Sequence, residues 1–357
     1  MLSIVLTYRN RNLTIVKKCL DSLKNQTNSK FSLYLINYGS SEKYTLELEI
    51  LIKSYSFVKY ISVSTHLQLW NKSRAINIAL KKCDTPYFLM GDIDLIYHPE
   101  MVEKCIRLIK KYDSVYFKYA YLNQRESSKS GSFFDFQPSF YGNSEVTGTT
   151  LYQTEILKEI NGYDEFYHGW GAEDTDVHLR LKNAGYSVYF YKAEILVKHQ
   201  WHPKDYRSKK STYPFHTMLE RTNHQYMLQN DRMKTVKANL NFNWGKMPSE
   251  KNILALKESF EKLEISSEIS QIDAFLTGVL PQLKYGLEIN IVENKQSSSI
   301  KNRFKKILGK KHIETYDMAY INNRVLEEII KCHRLASYTY DIDWNRRVIH
   351  LKIIPDA

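Results

Sequence analysis

The chain has 357 residues, of which 43% are hydrophobic and 25% charged, a composition typical of a globular protein with a sizeable core. The formal net charge of +12 favours anionic partners such as a phosphorylated substrate or a membrane surface. No zinc knuckle, helix-turn-helix pattern or RNA-binding signature accompanies this charge, so we expect no nucleic-acid partner.

Apolar strands alternate with amphipathic helices over the first half of the chain. This order predicts parallel β-α-β units, in which ligands gather at the carboxyl ends of the strands. The polar, aromatic and proline-bounded segment 200–214 is interpreted as a mobile lid. The predicted strands are 2–7, 31–37, 58–63, 87–90, 114–122, 186–191 and 195–199, and the predicted helices are 11–25, 41–54, 71–82, 98–111, 153–160 and 173–184.

Beyond residue 232 the alternation loosens, which predicts a catalytic domain over 1–232 and a separate region over 233–357. The expected elements of that region are helices at 250–263 and 316–333 and a strand at 347–354, an α+β or helical appendage. Its basic stretch 301–311 mixes cations with three apolar side chains. Such a mixture is typical of a solvated helix face and, less often, of a segment at a membrane surface.

The segment Gly-Trp-Gly-Ala-Glu-Asp-Thr-Asp at 169–176 is the most informative stretch of the sequence. Acidic side chains at a helix N-terminus are favoured by the helix dipole, and that explains one or two of the three carboxylates. It does not explain Trp170 between two glycines. A sugar ring stacks on an indole and donates hydrogen bonds to carboxylates, so the segment predicts a carbohydrate site.

Two acidic residues, Asp92 and Asp94, follow the apolar strand at 87–90. Carboxylates at a strand end can hold a divalent cation and join it to the phosphates of a nucleotide. His199 follows the strand at 195–199 and can return to the same sheet edge. An imidazole beside carboxylates favours Mn²⁺, with Mg²⁺ as the alternative.

Cationic and aromatic residues also follow or open elements at this edge. Tyr8-Arg9-Asn10-Arg11 ends the first strand, and Trp70-Asn71-Lys72-Ser73-Arg74 opens the helix at 71–82. Their cations can offset the charge of a diphosphate, and their aromatic rings can stack on a base. A solvated basic loop is an equally good interpretation of either segment taken alone.

Taken together, these segments resemble, in the same order, those of the GT-A glycosyltransferases in the group of the animal β-1,4-galactosyltransferases and bacterial chondroitin polymerase. The resemblance spans about residues 1–210. It implies an α/β, Rossmann-like, mostly parallel sheet flanked by helices, and an inverting transferase that uses a UDP-sugar. The matching segments are Tyr8-Arg9-Asn10-Arg11, Trp70-Asn71-Lys72, Asp92-Ile93-Asp94-Leu95-Ile96, Ile160-Asn161-Gly162-Tyr163 and 169–176.

The resemblance also implies roles for single residues. Asp174 would be the general base, Glu173 would act beside it and bind acceptor hydroxyls, and Trp170 would contact the acceptor sugar. Asp94 and His199 would ligate the metal. The donor would be bound by Tyr8, Arg9, Arg11, Trp70, Lys72, Asp92 and Gly148.

Two positions depart from the family pattern. Leu196 stands where the family has a metal-ligating methionine, so a water is expected to complete the metal site. The residues before Gly148 lack the aromatic that selects the donor, and the transferred sugar stays open among galactose, N-acetylgalactosamine, glucose and N-acetylglucosamine. Leu196 also keeps open a non-catalytic nucleotide-sugar or carbohydrate-binding module.

The family's animal members carry membrane anchors and disulfides, whereas this sequence shows no signal peptide or long apolar run and only four scattered cysteines. We therefore expect a bacterial cytoplasmic enzyme of surface-polysaccharide synthesis. Its acceptor would be a glycan or a lipid-linked glycan, with peripheral contact to the inner membrane surface.

Overall fold

The computed structural model describes residues 1–203, 214–258 and 260–356. Among these residues the chain forms two compact units. The first comprises 1–64, 70–203 and 220–247, and the second comprises 65–69, 214–219, 248–258 and 260–356. Most of the predicted lid at 200–214 lies outside the described residues. The functional division into 1–232 and 233–357 stays a prediction.

The first unit contains strands and helices in alternation over most of its length. In chain order they are β1 (Leu2–Tyr8), α1 (Leu13–Lys24), β2 (Phe31–Tyr38), α2 (Glu42–Ile52), β3 (Val58–Val63), α3 (Lys72–Lys82), β4 (Tyr87–Asp92), β5 (Leu95–Tyr97), α4 (Met101–Leu108), β6 (Ser114–Phe117), β7 (Tyr119–Tyr121), α5 (Gln124–Ser128), β8 (Phe140–Tyr141), β9 (Thr150–Gln153), α6 (Thr154–Glu159), α7 (Glu173–Asn183), β10 (Val188–Tyr191), β11 (Val197–His199) and α8 (Leu219–Arg232).

A seven-stranded sheet in the order β10-β6-β9-β4-β1-β2-β3 forms the centre of this unit. Its strands run parallel except β9, which is antiparallel to both neighbours. A smaller sheet, β5-β11-β7-β8, lies in the same unit. The mostly parallel sheet flanked by helices confirms the predicted α/β architecture.

Both faces of the large sheet are covered, which is why β1 is buried along its whole length. Alternate side chains of β1 point to opposite faces. Leu2, Ile4 and Leu6 pack with the buried residues of α1 and α4, while Val5 packs with those of α3 and α7. The two apolar layers hold the strand ends, where the polar segments follow, in a fixed register.

The structure of this unit differs from the sequence prediction at several elements. The single strand predicted at 114–122 is two strands, β6 and β7, in different sheets. The chain changes sheets at Lys118, inside an aromatic run whose local pattern is uniform. Strand β9 was not predicted, because only its pairing between β4 and β6 distinguishes it from the loop before it.

The second unit is a four-stranded sheet with helices. In chain order its elements are α9 (Glu250–Ala255), β12 (Lys262–Ser266), α10 (Ile269–Ala274), β13 (Leu287–Val292), α11 (Ile300–Ile307), α12 (Met318–Cys332), β14 (Ser337–Asp343) and β15 (Val348–Ile354).

The strands of this second sheet run in the order β12-β13-β15-β14. The α+β prediction for the C-terminal region is confirmed. The helix predicted at 250–263 was too long, because residues 262–266 pair with β13 instead. No helix among the described residues combines the length and the apolar character needed to cross a bilayer.

Candidate active site

The carboxyl ends of β1 and β4 bring the first basic segment and the acidic pair together. The two strands are parallel neighbours, with Thr7 opposite Asp92. After β1 the chain turns at Asn10, whose φ of 50° is in the left-handed region and whose side chain accepts from the Ser41 amide. The Arg11 guanidinium then lies 3.3 Å from the Asp94 carboxylate.

Two histidines converge on Asp94. His199 ends β11, which pairs with β5, and its Nε2 lies 3.6 Å from Asp94 Oδ1. Nε2 of His202 lies 3.1 Å from Asp94 Oδ2. The ligand atoms of all three residues lie within 4.8 Å of one another. This is the size of cluster that a single metal ion requires.

The chemistry of the cluster fits a divalent metal. Oδ1 of the buried Asp94 accepts no hydrogen bond from the described residues. Burial lowers the pKa of His199, so its imidazole is neutral and offers a lone pair. Nδ1 of His202 lies 2.9 Å from the Pro203 carbonyl oxygen, the kind of contact that orients a ligating imidazole. One carboxylate with two imidazoles favours Mn²⁺ over Mg²⁺.

The sequence analysis did not assign His202 a role. The structure places its imidazole, rather than the Leu196 side chain, beside Asp94 and His199. Leu196 is fully buried and packs in the apolar core. A signal was present in the sequence, since His202 follows His199 by three residues. Whether the two rings would face one carboxylate depends on the course of the chain after β11, which the spacing does not specify.

A second cluster forms around the ammonium of Lys72. Lys72 is the first residue of α3, whose N-cap is Asn71. Glu173 and Asp174 are the first two residues of α7. Lys72 Nζ lies 3.0 Å from Asp174 Oδ2, 3.3 Å from Glu173 Oε1 and 3.2 Å from Asp92 Oδ1. The N-termini of two helices and the end of β4 therefore meet at one cation.

Burial and the neighbouring charges together determine the protonation of Asp174. Burial raises its pKa, Glu173 and Asp92 add to this, and Lys72 opposes them, leaving a pKa of about 7. Burial by itself would lower the pKa of Lys72, but the three carboxylates raise it well above its usual value. Lys72 therefore stays charged. Its single positive charge is shared among three carboxylates, so the pKa of Asp174 remains well above its usual value. A carboxyl group that titrates near neutral pH can act as a general base.

Gly148 lies against the same carboxylates. A Cβ at this position would come within 2.8 Å of Asp92 Oδ2 and 3.0 Å of the Tyr119 hydroxyl. The buried Tyr119 donates to Asp92 Oδ2 at 3.2 Å and pairs with Thr149 Oγ1 at 2.6 Å. Tyr119 was missed because nothing marks it within the aromatic run 116–121. The structure thus supports a close approach at Gly148.

The tryptophans at the site differ in exposure. Trp70 is half-buried and packs edge-to-face on Tyr38, with ring centroids 5.7 Å apart, and its carbonyl accepts from the Gly169 amide. Trp170 is 41% exposed. Gly169 and Gly171 beside it have φ values of 73° and 97°, which only glycine adopts without strain. This backbone leaves the Trp170 indole at the surface beside the start of α7.

Three other residues of these segments are Tyr8, Arg9 and Asp176. Tyr8 is fully buried, and its hydroxyl donates to the Arg11 carbonyl at 3.1 Å. Arg9 is half-buried just after β1. Asp176, the third acid of the 169–176 segment, points away from the cluster into the core, where it pairs with Arg180 at 2.7 Å.

Family models match this half of the chain. Residues 3–160 match Glycosyl transferase family 2, and residues 130–202 match the family described as N-terminal domain of galactosyltransferase. Human β-1,4-galactosyltransferase 5 is 28% identical over 137 residues, which is 37% of this chain and 31% of that protein. The chain thus spans about a third of the length of this curated relative.

A bacterial relative and a solved structure agree with these matches. Teichoic acid poly(glycerol phosphate) polymerase of Staphylococcus epidermidis is 32% identical over 94 residues, 26% of this chain and 12% of that protein. The structure of GalNAc-T7 with UDP, GalNAc and Mn²⁺ superimposes with a TM-score of 0.50 at 13% identity, covering 64% of this chain and 47% of the other. Over residues 3–202 the chain is therefore similar to the glycosyltransferases of family 2 and to the β-1,4-galactosyltransferases, and its first unit has the GT-A fold.

Proposed function

We propose that this protein is an inverting, metal-dependent glycosyltransferase that moves a hexose from a UDP-sugar to a glycan acceptor in bacterial surface-polysaccharide synthesis. Galactose and N-acetylgalactosamine are the favoured sugars, because the curated relatives include galactosyltransferases and the GalNAc-T7 structure holds UDP and GalNAc. The observation that carries the proposal is the meeting of Asp92, Glu173 and Asp174 at the Lys72 ammonium, within 3.3 Å of each carboxylate, beside Gly148.

The reaction is a single displacement. The acceptor hydroxyl oxygen bonds to the anomeric carbon while the bond from that carbon to the β-phosphate oxygen breaks, and UDP leaves. Asp174 takes the proton of the attacking hydroxyl. Glu173 and the exposed Trp170 orient the acceptor sugar. Because one displacement occurs without a covalent enzyme intermediate, an α-linked donor yields a β-linked product.

The cations of the site bind the leaving group. Arg9 and Arg11 follow β1 at the edge where the diphosphate would lie, and Lys72 opens α3. Their charges stabilise UDP as negative charge develops on it. When bound at Asp94, His199 and His202, Mn²⁺ would supply further positive charge to the diphosphate. Gly148 leaves room for the donor sugar beside Asp92.

Replacing Asp174 with asparagine tests the proposal. Asparagine keeps the shape of the side chain but accepts no proton at neutral pH, so we expect kcat to fall by about 10²–10⁴-fold. The assay is UDP release from UDP-galactose, UDP-N-acetylgalactosamine, UDP-glucose and UDP-N-acetylglucosamine with Mn²⁺ and simple glycoside acceptors. The dissociation constant of UDP, measured by calorimetry, should change far less than kcat, since Asp174 affects UDP only through Lys72.

Asp84→Asn is the matched control, because Asp84 is exposed and precedes β4, whereas Asp92 lies at the opposite end of that strand. It should leave both kcat and UDP binding unchanged. An Asp174→Asn variant that loses UDP binding to the same degree as turnover would refute the base assignment. A wild-type protein that binds UDP-sugars but turns over none of them would instead support the non-catalytic module.

A further inference from the structure

Helix α11 in the second unit is attached to its unit through a polar residue. Of its side chains, Asn302 is the one that is buried. Asn302 Nδ2 donates to the carbonyl oxygens of Ser297 and Ile313, both at 2.9 Å, and its Oδ1 accepts from the Ile313 amide at 2.7 Å. The Ser299 hydroxyl caps the helix by accepting from the Asn302 amide. The helix therefore has a defined orientation, with Asn302 inward.

The outward side of the helix is apolar. Ile300 is 74% exposed, Phe304 61%, Ile307 79% and Leu308, the C-cap residue, 64%. Positions separated by four, seven and eight residues lie on one helix face. Amphipathic helices of globular proteins normally turn this face toward the core, and a contiguous exposed apolar stripe marks an interaction site. In helix α11 the apolar face is instead exposed, and the polar Asn302 faces the unit.

Cations surround this apolar stripe. The segment 295–312 contains seven lysine or arginine residues and no aspartate or glutamate. Four of these cations, Lys301, Arg303, Lys305 and Lys306, belong to the helix itself. No carboxylate among the described residues forms an ion pair with any of those four. The surface therefore presents apolar side chains within an uncompensated positive field.

We infer that helix α11 binds in the plane of an anionic phospholipid surface. An interfacial helix buries its apolar side chains at the headgroup boundary while lysines and arginines contact the lipid phosphates. A second copy of this chain is a poorer occupant, because pairing two such helices would bring like charges together. Nucleic acid would satisfy the cations but leave Phe304 and Ile307 without an apolar contact. This inference does not depend on the proposed transferase activity.

Vesicle sedimentation with the full chain tests the inference. The probes are phosphatidylcholine vesicles with and without about 30% phosphatidylglycerol, at low and at physiological salt. We expect binding to the anionic vesicles, weakened by salt. The double variant Phe304→Glu with Ile307→Glu should bind at least about tenfold more weakly, since it places two anions in the buried stripe. Both side chains are exposed, so circular dichroism and Tm should match the wild type.

The matched control is Leu254→Glu with Val279→Glu, which makes the same charge change at exposed apolar residues of the same unit. This control should retain most of the binding. Four outcomes would overturn the inference: no wild-type binding to anionic vesicles, equal binding to neutral vesicles, equal loss in both double variants, or a wild-type dimer that Phe304→Glu with Ile307→Glu dissociates.

Discussion

At the scale of single residues, Lys72 pairs with three carboxylates and is also proposed to face the donor diphosphate. Its ammonium lies within 3.3 Å of carboxylate oxygens of Asp92, Glu173 and Asp174. In the absence of a nucleotide it compensates part of their mutual repulsion. We propose that the same charge also faces the diphosphate when UDP is bound. The protonation of the base and the binding of the donor are therefore coupled through one cation.

The pH dependence of turnover follows from Asp174. A general base must be unprotonated, and its pKa of about 7 lies far above the usual value, so kcat/KM should rise with pH through about 7 and fall below it. Lys72 lowers this pKa, so Lys72→Met should move the acidic limb to higher pH. The measurement is a pH profile of kcat/KM for UDP release.

Lys72→Arg, which keeps the positive charge, is the control for this prediction. It should leave the acidic limb close to its wild-type position even if KM for the donor changes. An acidic limb that stays in place in Lys72→Met would show that Asp174 does not titrate as the base.

His202 gives a second prediction at this scale. If it is the third ligand, His202→Ala should weaken Mn²⁺ binding at least about tenfold, as His199→Ala should, because a ligand is lost from a three-residue site. Electron paramagnetic resonance of free Mn²⁺ measures the affinity without reference to turnover. His224→Ala, at an exposed position of α8, is the control. Unchanged affinity in His202→Ala would leave a site formed by Asp94 and His199.

At the scale of elements, α7 performs two tasks on opposite sides. Its first turn carries Glu173 and Asp174 to the cluster, where the helix dipole favours negative charge. In the same turn, Asp176 is buried with Arg180, whose guanidinium also donates to the carbonyls of Ile160 and Gly162. The buried pair holds the helix at the angle that brings its first turn to Lys72.

Removing the Asp176 carboxylate should therefore destabilise the fold. Asp176→Ala leaves the buried Arg180 guanidinium without its counter-charge, and we expect a loss of about 3–5 kcal/mol in the free energy of unfolding. Urea denaturation measures it. Glu155→Ala removes an exposed pair with Lys158 and should cost under about 1 kcal/mol. Equal effects of the two changes would contradict a structural role for Asp176.

At the scale of the whole molecule, donor binding should stabilise the folded protein. A ligand present at 100 times its dissociation constant adds about 2.7 kcal/mol to the free energy of unfolding. We therefore expect UDP to raise Tm in the presence of Mn²⁺ and to raise it far less with EDTA. Differential scanning fluorimetry of the full chain gives this comparison. The same rise in Tm with EDTA would show that metal is not needed to bind UDP.

Local patterns in the sequence determined the class of the protein. The alternation of strands and helices, the two acids after the apolar run 87–90 and the segment 169–176 are short-range features. They predicted the α/β fold, which the structure confirms, and the resemblance to glycosyltransferases, which the family models support. The same features predicted that Asp92, Asp94 and His199 lie at one edge of the sheet, and the family resemblance added Lys72 and Asp174 to the site. The individual roles of these residues stay predictions.

Only the tertiary structure decided the contacts between segments far apart in the chain. Lys72 and Asp174 are separated by 102 positions, and Tyr119 reaches Asp92 from another sheet. The tertiary structure also decided three other features: Asp176 points into the core, His202 lies beside Asp94, and the apolar face of α11 points outward. Helical and strand periodicities specify which face of an element is apolar. What covers that face, and which charges meet across a sheet edge, depends on how all elements pack together.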